Sequence, residues 1–219
     1  MSFVFILLAA LAGLVGSARA DERYAPLAQM PLNILAPSFE RPNLRSHPVQ
    51  GVAGIDILRG YAVEFDFKAR TIRLHDGFRG GRGWVRLPTR FNASNYAFVP
   101  YSIDGVGGEA FIDTGATSTV LNATFVKALG LDPNGKDARK VGFIGGVEGA
   151  RIPLYVTPAY RQALGPVRLP HRGANFADLP IFARLSPPGT RAAILGADVL
   201  RAQRFVVDYP GRSVWWFAD

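Results

Sequence analysis

The run AFIDTGATSTVL (Ala110 to Leu121) sets one acid, Asp113, among apolar and small residues. Hydrolysis of an amide without a metal or a covalent intermediate needs two carboxyl groups. One carboxylate activates water while the other carboxyl protonates or polarises the carbonyl. Two carboxyls held close share a single proton, because like charges side by side cannot both ionise, and base and acid are then supplied together. One Asp cannot do both jobs. A second loop of the same kind must therefore come from elsewhere.

Other chemistries find little support. The chain has no cysteine, which removes disulfides and thiolate metal sites. His47, His75 and His171 are isolated and lack metal-ligand spacing, so neither a metal nor a cofactor is expected. No G-x-S-x-G elbow is present. NAS at Asn92 and NAT at Asn122 fit glycosylation acceptors only in a eukaryotic secretory pathway. The net charge is +8, but the arginines are scattered singly with no basic run or aromatic platform, so no nucleic-acid partner is expected.

The amino-terminal stretch stands apart. FVFILLAALAGLVG is followed by SARA, and Ala18 and Ala20 make the small-x-small pattern of signal-peptide cleavage. The apolar run is short for a membrane span. Residues 1–20 are expected to be a cleaved signal peptide, leaving an exported, periplasmic or secreted chain that begins at Asp21 and keeps no stable membrane span.

The elements that must hold Asp113 are partly duplicated. GIDILRGYAVEFDFKARTIRL (Gly54 to Leu74) aligns without gaps on GADVLRAQRFVVDYPGRSVWW (Gly196 to Trp216). Each copy reads as a short helix followed by a strand hairpin with tight turns at KAR and PGR. Asp56 and Asp198 stand where helix N-caps belong, and Asp66 and Asp208 read as turn acids. GFRGGRG (Gly77 to Gly83) reads as a flexible connection. Beyond it come strand signals, a helical NATFVKALG, and the hairpin signal KVGFIGGVEGARIPLYV. With 24 Gly and 16 Pro, many short strands are favoured over long helices.

Three motifs, DTGATST, GFIGGVEG and ILGADVL, together resemble a retropepsin-type aspartic protease lobe, and the duplication resembles tandem or pepsin-like members of that superfamily. The resemblance implies an all-β fold, a closed β-barrel of the retropepsin-like acid protease type, with a partial second copy at the amino terminus. It divides the chain into a truncated lobe lacking DTG at 21–78, a Gly-rich linker at 79–83, and the protease domain at 84–219. It makes Asp113 the catalytic carboxylate on a tight active-site loop with Thr114, Gly115, Ala116 and Thr117. Thr114 would grip an opposing loop through its hydroxyl, Gly115 lets the backbone pass close to substrate, and Thr117 would hydrogen-bond around the loop. Ile194, Leu195 and Gly196 support the motif.

The GFIGGVEG hairpin reads as a flap over substrate, with Ile144 on its arm and Gly145 and Gly146 at its tip. The expected activity is aspartic endopeptidase on a peptide or protein substrate, the second Asp supplied by a homodimer. The alternative is a protease-like barrel that binds peptides without cutting them, or a truncated, inactive protease.

Overall fold

A computed structural model describes residues 28–31, 54–132, 139–144 and 151–218. The signal segment expected at 1–20 and the flap-tip residues Gly145 and Gly146 lie outside the described residues. The chain begins with β1 (Ala28–Pro31), α1 (Ile55–Leu58), β2 (Ala62–Asp66), β3 (Thr71–His75) and β4 (Trp84–Leu87). It continues through β5 (Arg90–Phe91), β6 (Ala97–Ile103), β7 (Val106–Ile112), β8 (Val120–Leu121) and α2 (Ala123–Ala128). Next come β9 (Arg139–Ile144), β10 (Ile152–Leu164), β11 (Val167–Phe176), α3 (Ile181–Leu185) and β12 (Ala192–Leu195). It ends with α4 (Ala197–Leu200), β13 (Arg204–Asp208) and β14 (Ser213–Phe217). The fold is all-β, as expected, with only short helices.

Six strands close a barrel in the order β6, β7, β12, β8, β11, β10. Closure is made where Gln162, Ala163 and Leu164 of β10 pair with Ile103, Ser102 and Tyr101 of β6. The period of two explains the interior: Ala97, Val99, Tyr101 and Ile103 of β6 all enter the main core. Phe98, between them, faces the other way into a second cluster with Phe111 and Ile194. The buried Tyr101 hydroxyl donates to Gln162 Oε1 at 2.8 Å, so its polar tip is satisfied.

The two repeats build one further sheet, in the order β1, β3, β2, β13, β14, β4. β2 and β13 pair antiparallel at its centre, and Glu64 stands opposite Val206, the residue at its own position in the second repeat. A pseudo-twofold axis therefore passes between them. β1 lies beside β3 as β4 lies beside β14. The boundary expected at 79–83 does not divide this sheet, which takes strands from both sides of it.

Turn chemistry repeats with the sequence. Asp66 Oδ1 accepts from the Ala69 amide at 2.8 Å and Asp208 Oδ1 from the Gly211 amide at 2.9 Å. Arg70 and Arg212 both adopt positive φ, 56° and 47°, where the hairpins reverse. The N-cap expectation is corrected: Gly54 and Gly196 are the N-caps of α1 and α4, and Asp56 and Asp198 lie one residue inside the first turn. Each glycine is extended and the residue after it is already helical, so the acid falls at the second helical position.

The outer face of the sheet carries a buried charge cluster. Glu64 Oε1 accepts from Arg73 Nη1 at 2.9 Å and Arg204 Nε at 2.7 Å, and Oε2 is bonded to His75 Nε2 at 2.9 Å. Burial pushes the Glu64 carboxyl up, but His75, Arg204 and Arg73 outweigh it and bring it down to about 2. The glycine-rich segment lies across this face. Phe78 packs edge-on against His75, Trp84 and Trp215. Gly80 and Gly83 take positive φ, and a Cβ there would meet Trp215 at 2.5 Å and Phe217 at 2.7 Å.

Candidate active site

β7 and β12 run parallel and end together, with Ile112 opposite Leu195 and Phe111 opposite Ile194. Asp113 is the first residue beyond β7, and its amide donates to the Leu195 carbonyl at 3.1 Å. The chain then folds back on the carboxylate. Gly115 and Ala116 donate their amides to Asp113 Oδ1 at 2.9 and 3.2 Å. A side chain at Gly196 would overlap the backbone of Ser118, so the glycine of the ILG triplet is what lets the loop lie against α4. The Ala116 carbonyl accepts from the Ala197 amide at 2.8 Å and fastens the two segments.

This environment sets the proton affinity of Asp113. Burial raises its carboxyl to about 6, against the opposing pull of the Gly115 and Ala116 amides. Part of its surface still reaches solvent. A carboxyl that titrates near 6 holds or releases a proton under mildly acidic conditions, as a general acid or base requires.

The remaining expected residues fall into distinct places. Ile194, Leu195 and Gly196 are brought against the Asp113 loop. Ile144, at the end of β9, pairs with Ile152 of β10, and both pack with Ala116 against the second core cluster. The turn end of the expected flap thus shares an apolar floor with the loop. Thr114 Oγ1 is buried without a hydrogen-bond partner among the described residues.

The bracing role expected of Thr117 is corrected. Thr117 is exposed, and Thr119 braces the loop instead. Its amide and hydroxyl donate to Asp198 Oδ1 at 2.7 and 2.8 Å, and its hydroxyl accepts from the Gly196 amide at 3.1 Å. The reason is position: Thr119 abuts β8, which enters the barrel beside β12, whereas Thr117 lies on the outer turn. Arg172 adds a hydrogen bond to the Asp198 carbonyl. Sequence reading missed Thr119 and Arg172 and took Asp198 for a cap. The available signal was that Thr119 directly precedes the apolar pair Val120 and Leu121.

Behind the loop lies a cleft lined by Ile55, Phe65, Tyr96, Thr114, Val207 and Tyr209, with a volume of about 20 Å³. That is room for about one water and not for a peptide. A larger, open depression of about 580 Å³ is lined by Glu109, Thr124, Thr190 and Arg191. It contains no residue of the Asp113 loop. Among the described residues no group of three or more His, Asp or Glu is placed to hold a metal ion.

Residues 99–199 match the family model described as aspartyl protease. This span holds the DTG and ILG motifs, and the resemblance read from them holds. No curated protein matches the chain. Among solved structures the chain is similar to a retropepsin-like aspartic protease from Rickettsia conorii, at 14% identity and a TM-score of 0.43, covering 61% of this chain and 89% of that one. It is also similar to the EIAV protease complexed with the inhibitor HBY-793, at 21% identity and a TM-score of 0.37, covering 52% of this chain and 92% of that one.

Proposed function

We propose that this chain, whose residues 99–199 match the aspartyl protease family, is an exported aspartic endopeptidase that works through Asp113. The observation that carries the reading is the state of that carboxyl: it sits at the end of β7, held by two backbone amides and raised to about 6 by burial. Opposite a second carboxyl it would share one proton, so that the ionised member activates water and the protonated member polarises the peptide carbonyl. The second carboxyl comes from another DTG loop across the pseudo-twofold. The β9–β10 hairpin, with Ile144 next to its turn, closes over the peptide and excludes bulk water. Export rests on the leader-like residues 1–20.

One observation favours a second reading, a barrel that binds peptides without cutting them. Burial and the two amides alone perturb Asp113, and no other carboxylate among the described residues acts on it. The test is a peptide-library cleavage assay on the mature chain beside Asp113→Asn. Cleavage that the substitution abolishes supports the protease. Binding without cleavage, equal in both proteins, supports the binding module.

A further inference from the structure

Among the described residues, large apolar side chains stand exposed singly at Ile57 of α1 and together on β9, where Val141 is 45% and Phe143 50% exposed. β9 pairs with β10 alone. Gly142, Phe143 and Ile144 lie opposite Leu154, Pro153 and Ile152, and β10 meets β11 only from Tyr155 onward. The hairpin therefore leaves the barrel here as a ribbon two strands wide. Its faces differ. Ile144, Ile152 and Leu154 pack with Ala116 on the second core cluster, and by the strand period Phe143 and Pro153 face the other way. That outward face is basic. Lys140 Nζ lies 4.3 Å and the Arg151 guanidinium carbon 4.8 Å from the Phe143 ring centroid, and Arg139 is exposed on the same strand. These three cations make no ion pair among the described residues, and neither β9 nor β10 carries an acid. Apolar side chains scattered singly over a surface are ordinary, but two on one strand among unpaired cations mark a contact surface.

We infer that the outward face of the β9–β10 ribbon docks on the surface of an anionic lipid bilayer. Phe143 and Val141 enter the boundary between headgroups and acyl chains, and Arg139, Lys140 and Arg151 meet the headgroup phosphates. The cations stacked on Phe143 put positive charge and apolar surface side by side, as that boundary requires. The inward face stays over the Asp113 loop, so a docked ribbon sets the candidate site at the bilayer surface. Docking needs no carboxylate, and the inference therefore stands apart from the proteolytic reading.

Charge and shape select this occupant. The chain carries a net charge of +8, which draws it to an anionic surface. A second copy would set two basic ribbons against each other, and like charges repel. An acidic protein would satisfy the cations, but a lone projecting ring calls for a preformed pocket on a folded partner. A headgroup layer deforms around the ring and needs none. A ribbon that stands clear of the barrel sheet also meets a plane along its whole outward face.

The test is co-sedimentation of the mature chain with two kinds of vesicle, phosphatidylcholine alone and equal parts phosphatidylcholine and phosphatidylglycerol. Binding is expected to the mixed vesicles and not to the neutral ones, and it should weaken as salt rises. Arg139→Glu, Lys140→Glu and Arg151→Glu together should weaken it ~10-fold or more. Arg59→Glu, Arg168→Glu and Arg201→Glu together change the net charge equally at exposed positions outside the ribbon and should cost less than ~3-fold. Phe143→Ser should weaken binding ~3-fold or more with the charge unchanged. Asp113→Asn should bind as the parent does, so a failure of cleavage and a failure of docking are read separately. No binding to the mixed vesicles overturns the inference. Equal losses from the two triple reversals overturn it as well, since net charge alone would then account for the attraction. Unchanged binding by Phe143→Ser shows that the ring does not enter the boundary and has the same force. Capture by immobilised poly-glutamate that the ribbon reversal abolishes, with the mixed vesicles left unbound, gives the face to an acidic protein and overturns the choice of a bilayer.

Discussion

Thr119 donates both its amide and its hydroxyl to one oxygen of Asp198, at 2.7 and 2.8 Å. The bond pair ties the far end of the DTG loop to the first turn of α4, and the same hydroxyl accepts from the Gly196 amide. Removing the acid leaves the amide and hydroxyl of the buried Thr119 without their acceptor. Asp198→Ala is expected to lower the unfolding free energy by about 2–4 kcal/mol, the cost of losing bonds to a charged acceptor and leaving their donors unpaired. Urea unfolding measures it, and a loss below ~0.5 kcal/mol would show that the loop is held by packing alone.

Burial links the protonation of Asp113 to stability. Its folded-state pKa, about 6, lies above the ordinary carboxyl value of 3.8, so the native state favours the protonated form. The associated stability is fully present below about pH 3.8 and is lost as pH rises through 6. Asp113→Asn removes this titration. It should abolish cleavage and, above pH 6, stabilise the chain by about 1–3 kcal/mol, the range allowing for the group's partial solvent access. Thermal unfolding of both proteins from pH 4 to 7.5 checks the sign. A gap that narrows as pH rises contradicts it.

Glu64 has the opposite linkage. Its carboxyl is brought down to about 2 from 4.5, so its contribution is present above 4.5 and lost as pH falls toward 2. Over that window the chain should lose about 3 kcal/mol through this group. Glu64→Gln should flatten the acid limb of the stability curve and destabilise the chain at pH 7, because Arg73 and Arg204 lose their shared acceptor. An unchanged acid limb in the variant would place the acid sensitivity elsewhere.

Gly196 and Gly60 make a paired test of space. A Cβ at Gly196 would overlap the Ser118 backbone, whereas one at Gly60 meets nothing within 4 Å. Gly196→Ala is expected to cost about 2 kcal/mol or more and to suppress cleavage by displacing the loop. Gly60→Ala should stay within about 0.5 kcal/mol of the parent. Equal melting temperatures for the two variants would refute the close approach.

Ala116 offers Asp113 its amide at 3.2 Å but carries no side-chain donor. Ala116→Ser adds a hydroxyl that can donate to the ionised dyad and so favours the charged form. Both limbs of the kcat/KM profile in the active assembly should move to lower pH, and a half-unit shift corresponds to about 0.7 kcal/mol. Superimposable profiles, or an upward shift, would show that the hydroxyl does not address the dyad.

Residue order alone determined what neighbours a few positions apart can settle. The DTG turn, the hairpins of both repeats and their turn acids Asp66 and Asp208 follow from local hydrogen bonding and a period of two. In the folded chain Glu64 and Asp66 share one face of β2, while Val63 and Phe65 alternate with them into the core. What those residues meet was decided across distance. Glu64 finds Arg204 only because β2 pairs with β13, and Thr119 finds Asp198 only because β8 enters the barrel beside β12. Strand alternation says which face of a strand is buried, but not which edge it joins. That choice depends on closing long loops against the burial gained, a balance taken over the whole chain. For the same reason Asp56 and Asp198, alike in sequence, differ in state: tertiary packing covered one and left the other exposed.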